Sequence, residues 1–416
     1  MPCPQVSPAF VCIALAALCA CSSDELEIER DGEGGGGASS SQSAGGSTPW
    51  QETRPPFEGC EALVWAGEPL RVPSSEYVRE PGLVPLEGGR VGMVYADRDE
   101  HGPIIASRVV DGAFGRWPPS VGEAVTHFAA KQLPAGRGGL SARADGSFAL
   151  SGQAAGVYRF EEPGRVSMPE GAPYLFVSVW LEPAPGLGAY VLRYLPGEPM
   201  RLSYAAQARE LSIERPVGEV NLASDCGALD FAAGQSSLAF ALGPRDGCAS
   251  DAPLQVFRLD GRPPAVETHL AELGTELTHG RFYRARDGYT YAHFGGPRAE
   301  VVLHHFDRFA RPAPLSEPLN DGEPRYRVRD IAAFRGGHAW LARAAGRRDD
   351  PHDISVRVVV GDATHRTRST ELDAASYRSS SGSTVLVGGE GEGSILVALG
   401  VPEGIALARA DCVPGG

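Results

Sequence analysis

Lysine is nearly missing from this chain: Lys131 is the only one, and Arg supplies every other cation. With Lys+Arg 38 against Asp+Glu 52, the formal net charge is −14. That balance speaks against a nucleic-acid partner, because phosphate contacts need a positive field. No long apolar run occurs after the N-terminus, which argues against a multi-span membrane protein. Amphipathic helical patterning longer than three turns is lacking from residue 57 onward, while Gly (53) and Pro (34), poor residues for helix interiors, are abundant. Short catalytic motifs are lacking too. There is no G-x-S-x-G to present a serine on a sharp turn, and no H-E-x-x-H to place two imidazoles one helical turn apart. A phosphate-cradling G-x-x-x-x-G-K-[ST] loop cannot form around Lys131, which sits between Ala130 and Gln132. From local spacing, no catalytic residue, metal ligand set or cofactor site is assigned.

What is present begins with an uncharged first twenty residues and an apolar run from Ala9 to Ala20, too short to span a bilayer and of the length of a signal-peptide core. The run ends in Leu18-Cys19-Ala20-Cys21. In these residues the chain resembles bacterial lipoproteins, whose lipobox is Leu, a small residue, Ala or Gly, and then the cysteine that receives lipid. The resemblance implies cleavage before Cys21, lipid attachment to it, and a membrane partner on the extracytoplasmic side of a bacterial envelope. Cys19 does not fit, because Leu18 would stand where a small residue belongs. Residues 1–20 are then a signal peptide, and 21–56 a tether. From Asp24 to Glu33 the tether carries six acids and one Arg, followed by GGGGASSSQSAGGSTPW. Neither part can bury enough apolar surface to offset the entropy of ordering it. Such a flexible segment has a root-mean-square reach on the order of 30 Å.

Of eight cysteines, Cys3, Cys12 and Cys19 leave with the signal and Cys21 would carry lipid, so four remain. In an oxidising compartment an even number reads as disulfides, and these four have neither C-x-x-C spacing nor a paired His to suggest zinc. Among three possible connectivities, Cys60 with Cys412 and Cys226 with Cys248 is favoured. The first pair brackets the folded body, before EALVW (61–65) and after GIALARA (404–410), and the second closes one local hairpin region.

Between these ends, short β-rich runs come in pairs separated by Gly, Pro or Asp turns. Seven pairs start at Gly88, Asp145, Ala172, Gly234, Asp287, Gly336 and Ser381. Five of the six intervals lie near fifty residues, and the one between Asp145 and Ala172 is only 27. In this layout residues 57–416 resemble a β-propeller, whose four-stranded blades recur at such periods. No WD, kelch or complete S-x-D-x-G-x-x-W series accompanies the resemblance, although ADGSF from Ala144 and RDGYTY from Arg286 carry its Asp-Gly turn. The expected fold is all-β, a single propeller of six or seven blades, with seven favoured. Two β-sandwich-like domains are the alternative. The runs at 61–65 and 404–410 are placed to share one blade and close the ring.

Individual chemistry-bearing residues read mostly as structural. Asp97-Arg98-Asp99-Glu100-His101-Gly102 is a solvated hairpin turn without the full carboxylate set of a calcium loop. His304 and His305 alternate to opposite strand faces, with His293 on the preceding strand, while His338, His352 and His365 are scattered without ligand spacing. Arg284, Asp287, Arg329 and Asp330 enter blades where propeller hydrolases gather acids and arginines around a central channel. Three functions are therefore weighed: a non-catalytic binding or scaffold lipoprotein taking a protein or glycan on one rim, a sialidase-like hydrolase or lyase, and an outer-membrane assembly factor. The missing carboxylate motifs favour the first over the second.

Overall fold

A computed structural model describes the chain from Cys60 to Pro414, apart from connecting segments of which the longest are 130–139, 243–254, 271–279, 345–355 and 373–382. All described residues belong to the compact unit Ser47–Gly416. The tether, the signal segment, and Cys226 and Cys248 lie outside them. The described chain is strands throughout, with one 3-10 turn at Glu87–Gly89.

Its strands form seven antiparallel sheets. Blade 1 holds Gly82–Pro85, Val91–Asp99 and Gly102–Asp111, edged by Ser120–Val121 and Val125–Ala129. Blade 2 runs from Leu140–Ala142 to Glu162–Ser167, blade 3 from Phe176–Leu181 to Glu214–Val220, and blade 4 from Ala228–Ala233 to Val266–Leu270. Blade 5 runs from Gly280–Ala285 to Pro312–Leu319, and blade 6 from Tyr326–Phe334 to Thr367–Leu372. Blade 7 is built from both chain ends: Ser383–Gly388, Ser394–Val401 and Gly404–Val413, with Ala62–Trp65 and Leu70–Pro73 paired along the last of these. The leading strands lie against one another, Gly82–Pro85 touching both Leu140–Ala142 and Ser383–Gly388, and Tyr326–Phe334 touching both Gly280–Ala285 and Ser383–Gly388. They therefore face the ring axis, and the fold is a seven-bladed β-propeller. The seven hairpins marked in the sequence fall one to each blade.

The short 27-residue interval has a local cause. Blade 2 is compact, with strands of three to six residues and tight turns. In addition, the Asp145 pair starts at its blade's second strand, whereas the Ala172 pair starts at the first strand of blade 3.

A blade in a ring is covered on both faces, so its middle strands read as continuous apolar runs instead of alternating ones. Ser394–Val401, SILVALGV, is such a run, buried at every position after its first. Alternation still sorts it: Leu396 and Ala398 pack with Val72, Met93 and Tyr95 toward blade 1, while Ile395, Val397 and Leu399 pack with Phe334, Leu341 and Val358 toward blade 6. The seam between blades 1 and 2 is aromatic, formed by Phe148, Tyr158 and Phe160 against Val84, Val94 and Ile105. Gly92 is required there, since a Cβ would come 2.3 Å from Phe160 Cζ. At the closure Gly404 has φ 139°, and a Cβ on it would meet Val72 O at 2.2 Å. The N-terminal strand therefore needs this glycine in order to lie against the last one.

Candidate functional site

Several of the buried polar and ionisable side chains of the described residues lie where blades meet. The closure is the most elaborate case. The last strand pairs Leu63 with Cys412 and Trp65 with Ala410, and a disulfide joins Cys60 to Cys412 across 352 residues of sequence. Arg409, 8% exposed, turns its guanidinium toward blade 1, donating to Ala113 O and Gly115 O. It also clamps Asp411, with Nη2 donating to Oδ2 at 3.0 Å and Nε 3.0 Å from Oδ1. Ser394 Oγ steadies that carboxylate from the neighbouring strand at 2.8 Å. The guanidinium carbon sits 5.6 Å from the Trp117 ring centroid, and Trp117 Nε1 donates to Glu68 O at 2.9 Å. One cation thus ties together the last strand, a blade 1 turn and, through Trp117, the segment between the two N-terminal strands. Arg108 adds a second link, donating to Tyr95 Oη at 2.8 Å, Gly122 O at 2.9 Å and Pro73 O at 3.4 Å. Burial raises the Tyr95 pKa, against the pull of the Arg108 hydrogen bond.

Between blades 1 and 2, Ser107 on Gly102–Asp111 meets His127 on Val125–Ala129, with Oγ 2.7 Å from Nε2. His127 Nδ1 is 3.3 Å from Gly164 O, and Ser107 Oγ is also 3.0 Å from Phe160 O. Burial lowers the His127 pKa and so favours the neutral ring, while the hydrogen bond to Gly164 partly opposes it. Ser107 has one hydroxyl proton for two acceptors, Phe160 O and His127 Nε2; given to Nε2, it leaves a neutral ring whose Nδ1–H donates to Gly164 O. That is the arrangement of a nucleophile and its base. Ser107 is 0% exposed, however, and Phe148 and Tyr158 stand edge-on to the imidazole at centroid distances of 5.2 and 5.5 Å. Through Phe160 O and Gly164 O the pair ties blade 1 to blade 2.

The seam from blade 2 to blade 3 uses Arg143, which follows Leu140–Ala142 and donates to Gly188 O. It stands on the Asp-Gly turn seen in the sequence: Asp145 Oδ1 accepts from Ser147 N at 2.9 Å, and Gly146 has φ 85°.

Blades 5 and 6 meet through two histidines. On blade 5, Thr290 lies directly across from His305 in register, and Oγ1 is 3.1 Å from the imidazole Nδ1. His338 of blade 6 stacks on His305 at a centroid distance of 6.3 Å. Burial lowers the His305 pKa to about 4, and burial together with the neighbouring His305 lowers that of His338 to about 3. Nothing in local spacing pairs these residues, because they sit 33 positions apart on different sheets. Since the unfolded chain takes up protons near pH 6.5 and the folded one resists until about pH 4, stability should fall as pH drops through this window. His305 alone accounts for about 2 kcal/mol of loss at pH 5 relative to pH 7.5. Urea midpoints measured from pH 7.5 to 4 will show this slope, and a folded His305→Gln variant will make it shallower, leaving the part that His338 contributes.

The channel candidates separate. Asp330 is on Tyr326–Phe334 but only 1% exposed, and it pairs with Leu341 on the face toward blade 7. It is therefore buried in a seam and does not line an open channel. Arg284 is the penultimate residue of Gly280–Ala285 and Arg329 precedes Asp330, with both side chains outside the described residues. Asp287, His352 and His365 also lie outside them. His304 and His293 share the strand face opposite His305. The Asp97–Gly102 segment is a hairpin turn whose Asp99 carboxylate accepts from His101 N and Gly102 N at 2.8 and 3.0 Å.

No family model and no curated protein sequence matches this chain. Solved structures do. A prolyl endopeptidase is similar at 13% identity and TM-score 0.47, over 82% of this chain and 51% of the other, so the chain spans about half that enzyme's length. The phage phi92 endosialidase matches at 7% identity and TM-score 0.47, over 84% and 70%. An α-L-arabinanase of Penicillium chrysogenum, complexed with arabinobiose, matches at 8% and 0.41, over 84% and 99%. The fold assignment itself rests on the seven sheets and their shared closure blade.

Proposed function

We propose that this protein is an exported, lipid-anchored propeller of the bacterial envelope that binds a protein or glycan and performs no reaction on it. The observation that carries the reading is the Cys60–Cys412 bond at the ring seam, because structural disulfides persist in oxidising compartments outside the cytoplasm. The Leu18-Cys19-Ala20-Cys21 sequence supplies the anchor, and residues 21–56 the spacer that holds the ring off the bilayer. Support for binding without catalysis comes from how the polar residues are used. Ser107, His127, Arg143, His305, Asp330 and Arg409 are all at most 8% exposed, committed to seams between blades. A ring stiffened in this way displays its connecting loops as a rigid rim, the usual location of binding residues on such scaffolds.

Cys21→Ser should shift the protein from the membrane fraction to the soluble extracytoplasmic fraction, and mass spectrometry of the wild-type N-terminal peptide should show a diacylglycerol-sized adduct on Cys21. An unmodified Cys21 in membrane-bound protein would falsify the anchor. Turnover of a glycoside or peptide substrate by purified protein would refute the non-catalytic reading.

A further inference from the structure

Methionine is scarce, and its placement is uneven. Met93 is completely buried in the seam between blades 7 and 1. Met168, immediately after the outer strand Glu162–Ser167 of blade 2, is 58% exposed. Its thioether is not bare. Arg165 Nη1 lies 3.3 Å from Met168 Sδ, and that guanidinium is held from the other side by Tyr158, with Nε donating to Tyr158 Oη at 3.0 Å and the cation 5.7 Å from the ring centroid. A thioether is a weak acceptor, and so makes poor use of a cationic donor at this range. A sulfoxide oxygen is a strong one, and a charge-assisted hydrogen bond to it is about twice as strong as a neutral one.

We propose that Met168 is an oxidation site whose sulfoxide is received by Arg165. The oxidant is a peroxide. A sulfur lone pair attacks one peroxide oxygen, the O–O bond breaks, the S–O bond forms, and the other oxygen leaves as water after taking up the proton. Sulfur is oxidised by two electrons and the peroxide reduced by two. A methionine sulfoxide reductase reverses the change, two thiols becoming a disulfide as the oxygen leaves as water. Among the described residues exposure makes Met168 more reactive than Met93, and Arg165, already positioned by Tyr158, fixes the product against blade 2. Ser167, the residue before it, donates to Ala208 O of blade 3. The modified side chain is thereby ordered where two blades meet, with or without a lipid anchor on the protein.

The test uses the purified chain labelled with methyl-13C methionine and treated with hydrogen peroxide. Peptide mapping should find Met168 sulfoxide forming at least about tenfold faster than Met93 sulfoxide, as exposure dictates. The Met168 sulfoxide methyl resonance should sit away from its free-peptide position in the wild type, stay displaced in Arg165→Lys, and return to the free position in Arg165→Gln. The Met93 resonance reports in each case that the variant is folded. Equal oxidation of the two methionines would overturn the site, and a sulfoxide resonance at the free position in the wild type, or unchanged in Arg165→Gln, would overturn the role of Arg165.

Discussion

Removing the Cys60–Cys412 bond should cost this protein about 5 kcal/mol of stability, toward the upper end of what a native disulfide contributes, because the bond spans a sequence separation of 352 residues. Without it, the N-terminal strands Ala62–Trp65 and Leu70–Pro73 are held by their pairing with Gly404–Val413, by the burial of Leu63 and Val72, and by the contacts of Trp117 and Arg108. The ring should then open at the blade assembled from two chain ends. The double variant Cys60→Ala/Cys412→Ala isolates the effect, since reductant would also act on any bond between Cys226 and Cys248. Denaturant midpoints should drop strongly, and limited proteolysis should now cut within residues 61–73 before the rest of the ring. A double variant within about 0.5 kcal/mol of wild type, the size of an ordinary surface change, would show that strand pairing alone closes the ring.

Arg409→Met should be the most damaging single substitution outside the core, at about 3 kcal/mol, the lower end for breaking a buried ion pair. The lower end applies because the Asp411 side chain keeps 26% of its exposure and can recover some hydration. The losses are concrete: Asp411 without its clamp, Ala113 O and Gly115 O without their donor, and Trp117 without the cation over its ring. Adding Asp411→Asn removes the stranded charge, so the double variant should be more stable than the sum of the single effects implies, by about 1 kcal/mol or more. Strict additivity in urea unfolding would show that the two side chains act independently.

The hairpin series was readable because each blade has to bury two faces: its middle strands become apolar runs, and its turns need Gly, Pro or Asp. The choice between six and seven blades was not readable from the interval between Asp145 and Ala172. A compact four-stranded blade from Leu140 to Ser167 and half of a larger blade leave much the same trace in one dimension. Asp330 entered the list of channel residues for its place at the start of a blade, and the bulge beside it, between Val328 and Asp330, belongs to sheet register that local sequence does not encode.

By itself, then, the sequence determined the strand-pair rhythm, the all-β class and the cysteines at both ends of the body. These are set by local composition and period, where neighbours along the chain decide the outcome. Only the tertiary structure decided that His305 meets His338, that Ser107 meets His127 inside an aromatic cage, and that Arg409 reaches Trp117 from the far end of the chain. Alternation assigns each side chain to one of two faces of its strand. Which residue of the next blade stands opposite depends on how the ring brings separate sheets into register, and that is settled by packing across the seams.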